Sequence, residues 1–76
     1  MGNTTKRQRF ENVASNRVQR ILDTLQLLQN CSNKNNYEYT EKDVDKMFSE
    51  ISSAVKDAKQ AYIKELNKEN KSGFKF

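Results

Sequence analysis

Two apolar runs with helical spacing, separated by a single polar joint, decide most of what this chain can fold into. The first run is Phe10, Ala14, Arg17/Val18, Ile21, Leu25 and Leu28; the second is Val44, Phe48, Ile51, Val55, Ala58, Tyr62 and Leu66. Steps of three and four place the members of each run on one stripe of a helix, an arc of roughly 80° at 100° per residue. Leu22 and Leu27 lie on opposite flanks of the first arc. The pattern therefore predicts an all-α chain, a two-helix antiparallel hairpin of coiled-coil type. Its expected organisation is a helix over 6–31, a joint over 32–39 and a helix over 40–70. Residues 1–5 carry no periodicity and are expected to be disordered; 71–76 are expected to form a flexible tail.

Between the runs lies the segment NCSNKNNYEYT, residues 30–40. Asparagine tolerates left-handed backbone angles and bonds to nearby main chain, so this cluster can end a helix without glycine. The next helix start has a fuller signature. Thr40 has an N-cap side chain, Glu41 and Asp43 place negative charge at the positive helix end, and Tyr39 and Val44 hold the positions of a hydrophobic staple. At the far end Ser72-Gly73 stops the second helix, leaving Phe74 and Phe76 on the tail.

Size constrains how such helices are stabilised. With 76 residues, 34% hydrophobic and 32% charged, the chain has little apolar surface to bury. Small domains of this kind use a staple, a metal or a partner. One cysteine, no histidine and no proline leave no disulfide and no zinc site to expect. Completion by dimerisation or by a partner is the expectation, with a four-helix bundle as the simplest dimer. Met47, Ala54, Ala58 and Ala61 form a small-residue flank on the second helix that would allow close approach of another helix.

The same inventory argues against catalysis. No histidine means no imidazole base, and Cys31, with nothing to activate it, is expected to be a buried or half-buried structural residue. Glu41 and Asp45 stand one turn apart at a helix start, where dipole stabilisation explains them. Residues 33–44 have oxygen ligands at alternate positions, but the central glycine of a calcium loop is missing and Val44 stands where its bidentate glutamate belongs. Only Gly2 and Gly73 are present, so there is no phosphate-cradling glycine loop. No enzyme activity, no metal and no cofactor are expected. Nor is a membrane: no stretch reaches the ~20 apolar residues of a span, and Lys6 replaces the hydroxyl residue of a myristoylation signal. A single cysteine agrees with a reducing compartment, so a cytoplasmic protein is expected.

Charge distribution then directs attention to one helix. Net charge is +4, and all four arginines (Arg7, Arg9, Arg17, Arg20) fall in the first twenty residues beside Lys6, with Glu11 the only acid there. From residue 32 onward nine lysines face eight acids. Lys6, Arg9, Arg17 and Arg20 share one side of the first helix within roughly 80°, spanning about 21 Å at 1.5 Å per residue. That row can follow successive phosphates of DNA or RNA, with Asn16 and Gln19 near enough to touch bases or riboses. Candidate nucleic-acid-binding residues are thus Lys6, Arg7, Arg9, Asn16, Arg17 and Arg20. A second set, Asn35, Tyr37 and Tyr39, sits in the joint as candidate anchors for a protein partner.

The run RFENVA at 9–14, Arg17-Val18, and above all NCSNKNNYEYTEKDV at 30–44 resemble a group of short helical proteins. These are encoded on plasmids, integrative elements and phages of low-GC Gram-positive bacteria. The resemblance covers residues 6–66 and is most specific in the joint. It implies a mobile genetic element as the setting and no particular activity. Two functions follow as expectations. One is a small nucleic-acid-binding accessory or regulatory protein acting through its basic first helix. The other is a protein-binding inhibitor or adaptor, an anti-defence or anti-CRISPR protein for example. In that case the basic charge rules out DNA mimicry, and a protein surface or guide RNA would be the target.

Overall fold

A computed structural model describes residues 5–70, with side chains described as far as Lys68. The described residues are all-α: helix α1 spans Lys6–Asn30 and helix α2 spans Glu41–Asn70, with no strand among them. Two units divide between Glu38 and Tyr39, one built on each helix. The expectations for residues 1–4 and 71–76 fall outside the described part of the chain.

α1 begins one residue earlier in its architecture than its periodicity suggests. Thr5 stands in extended backbone (φ −75°, ψ 166°) as the N-cap. Its Oγ1 accepts from the Gln8 amide at 3.0 Å, and Gln8 Oε1 accepts from the Thr5 amide at 3.1 Å. This reciprocal pair is a capping box built from neutral side chains. Thr5 is therefore the ordered start of α1 and no part of a disordered arm, because two otherwise orphaned amides depend on it.

The C-terminal end of α1 falls at Asn30. Cys31 is the C-cap with φ −75° and ψ −3°, right-handed backbone. Amides of Cys31 and Ser32 reach Leu28 and Gln29 oxygens at 3.0 Å each, so three-residue steps tighten the last turn. Cys31 itself is exposed rather than buried or half-buried. It lies past the last stripe position, about 60° round the helix from Leu28 at 100° per residue.

Asn33 organises the joint. Its Oδ1 accepts from the Asn35 amide at 2.9 Å, and its backbone oxygen accepts from the Asn36 and Tyr37 amides at 3.1 and 3.0 Å. An Asx turn and one helical turn thus follow each other on a single residue.

α2 starts as its signature predicts. Thr40 Oγ1 accepts from the Asp43 amide at 3.2 Å while Asp43 Oδ2 accepts from the Thr40 amide at 2.8 Å. Tyr39 and Val44, the staple positions, are both half-buried. Within each unit the apolar stripe is a surface that one helix has no means of covering from within itself. No described residue is buried, and Ile21, Val55 and Leu66 are 57, 59 and 60% exposed.

Candidate nucleic-acid interface

Helix α1 is charged against its own dipole. Backbone amides give a helix N-terminus partial positive charge, which acids in the first turn normally offset. α2 obeys this rule, with Glu41 and Asp43 in its first turn and Lys68 in its last. α1 has no acid in its first turn and no base in its last, and it opens with Lys6, Arg7 and Arg9. Each such placement costs roughly 0.3–1 kcal/mol at an exposed site. The neutral capping box of Thr5 and Gln8 satisfies the amides and leaves the charge uncancelled. Helix register and dipole together concentrate positive potential over the first turns, where an anion is stabilised.

The arginines do not act as one group. Lys6, Arg9, Arg17 and Arg20 are exposed on one face, and none of the four has an ion-pair partner among the described residues. Arg7 points roughly 160° away from Arg9 at 100° per residue, into the arc of the apolar stripe. There its Nε donates to Glu11 Oε2 at 2.9 Å, and its guanidinium lies over the Phe10 ring at 5.8 Å. Glu11 neutralises Arg7 one turn on, and the ring attracts the same cation. The structure thus brings four of the six sequence-derived candidates together with Asn16 beside them, and sets Arg7 apart. Gln19, further round the helix, is occupied by Asp23, whose Oδ1 accepts from its amide nitrogen at 2.9 Å.

Val13 was not among the candidates, yet it stands in the middle of this face. It is four residues from both Arg9 and Arg17 and seven from both Lys6 and Arg20, and 42% of its surface is exposed. The signal in the sequence is that equal spacing, hidden because Val13 falls outside both apolar runs.

Of the joint residues, Asn35 and Tyr37 are exposed, Tyr37 to 52%, on the turn that Asn33 holds. Tyr39 belongs to the other unit and is half-buried at the start of α2. The two tyrosines thus differ in exposure: Tyr37 is exposed on the joint, and Tyr39 is half-buried at the staple position before α2.

Among the described residues no group of three metal-ligating side chains is assembled, and no helix is long and apolar enough to cross a membrane. No family model, curated protein or solved structure matches this chain.

Proposed function

We propose that this chain is a small, non-enzymatic nucleic-acid-binding protein, an accessory or regulatory factor of a mobile genetic element, that holds DNA or RNA phosphates on the basic face of α1. The observation that carries this reading is the exposed row Lys6, Arg9, Arg17 and Arg20, without an ion-pair partner among the described residues, on a helix charged against its dipole. Such a helix loses stability in isolation and regains it when an anion arrives, which is the behaviour of a binding element. A setting in plasmids, integrative elements or phages, and with it the cytoplasm, is part of the same proposal. The apolar stripes support a homodimer, since association is the simplest way to cover them. Salt-dependent binding to duplex DNA or hairpin RNA, lost when Arg9, Arg17 and Arg20 are changed together to Ala, tests the reading.

A second reading keeps a specific observation of its own. The Asn33 turn presents Asn35 and Tyr37 on a short, hydrogen-bonded loop, a geometry suited to a protein-binding inhibitor or adaptor such as an anti-defence protein. Under that reading Tyr37→Ala and Asn35→Ala abolish partner capture while far-UV circular dichroism is unchanged.

A further inference from the structure

We infer that the basic face of α1 is a major-groove reader of duplex DNA, with Val13 placed on thymine methyl groups. The inference rests on the nucleic-acid reading above and narrows its ligand. About Val13 the four cations are arranged with two-fold symmetry. Arg9 and Arg20 lie roughly 20–40° to one side of it and Lys6 and Arg17 roughly 20–40° to the other, at 100° per residue. Along the axis Lys6 and Arg9 precede it and Arg17 and Arg20 follow it. Each flank of the face therefore carries two cations, one toward each end. A helix seated in a groove meets phosphates on both flanks and base edges beneath its midline.

Dimensions select the groove. A helix with its side chains is about 10–12 Å across, and the major groove of B-DNA is about 12 Å wide. The minor groove, about 6 Å wide, admits no helix, and the deep, narrow major groove of A-form RNA is closed to side chains. A face that only follows phosphates has no use for an apolar centre. The C5 methyl of thymine is the apolar feature of the major groove, and an exposed valine at the midline suits it.

The test is fluorescence anisotropy of the full chain with four probes: an A·T duplex, the same duplex with deoxyuridine replacing thymidine, a G·C duplex and a hairpin RNA. Wild type is expected to bind the thymidine duplex about fourfold tighter than the deoxyuridine duplex, the worth of one buried methyl group. Val13→Ala is expected to bind both alike, with its salt dependence intact. Equal wild-type affinity for thymidine and deoxyuridine duplexes overturns the inference and leaves phosphate binding standing. Hairpin RNA bound as tightly as the thymidine duplex also overturns it. No salt-dependent binding to any probe overturns the nucleic-acid reading itself, and the inference with it.

Discussion

Thr40 and Asp43 cap each other: the Thr40 hydroxyl oxygen accepts from the Asp43 amide at 3.2 Å and the Asp43 carboxylate accepts from the Thr40 amide at 2.8 Å. Asp43 thus satisfies an amide and complements the dipole of α2 at once. Thr40→Ala is expected to cost about 1 kcal/mol of helix stability. The readout is a lower thermal midpoint by far-UV circular dichroism. Thr40→Ser, which keeps the acceptor, should leave the midpoint close to wild type.

Arg7 separates charge from function. It is paired with Glu11 at 2.9 Å and lies off the Arg9 face. Arg7→Ala is therefore expected to leave the salt dependence of binding almost unchanged, whereas Arg9→Ala lowers the slope of log K against log salt by about one. An equal loss of slope for both substitutions would place the phosphates differently. Because this ion pair is exposed, its removal should cost well under ~1 kcal/mol of stability.

These contrasts show what the sequence could convey. Both helices were legible, since the runs through Ile21 and Val55 repeat at threes and fours, and Thr40 announced the start of α2. Thr5 was missed because its partner, Gln8, is a neutral residue in a basic run and no apolar residue marks the cap. Cys31 was misplaced as a core residue because the stripe ends at Leu28. Its αR geometry comes from tightening of the last turn, which periodicity does not report. Helix register already leaves Arg7 off the side shared by Lys6, Arg9, Arg17 and Arg20; what register alone does not convey is its pairing with Glu11 one turn on. Val13 went unread because its meaning lies in its distances to four cations and not in its own hydropathy.

The exposed stripes lead to a prediction about association. A dimer that covers Ile21, Leu25, Phe48 and Val55 is more stable at higher concentration, because mass action favours the folded pair. The thermal midpoint of the wild type should rise when protein concentration is raised a hundredfold. Sedimentation equilibrium should give twice the mass of the 8.9 kDa chain. Leu25→Asp should bring the mass down to that of one chain, with reduced helicity, since isolated helices depend on packing.

The most direct test of the central claim is anisotropy against duplex DNA across a range of salt, with the wild type and with Arg9, Arg17 and Arg20 changed together to Ala. Counted per chain, four phosphate contacts predict a slope of about −3.6 in log K against log salt, falling to about −0.9 in the triple variant with Lys6 alone remaining. Binding that keeps its strength and its slope in the triple variant, or a wild type that ignores DNA at low salt, would contradict the account.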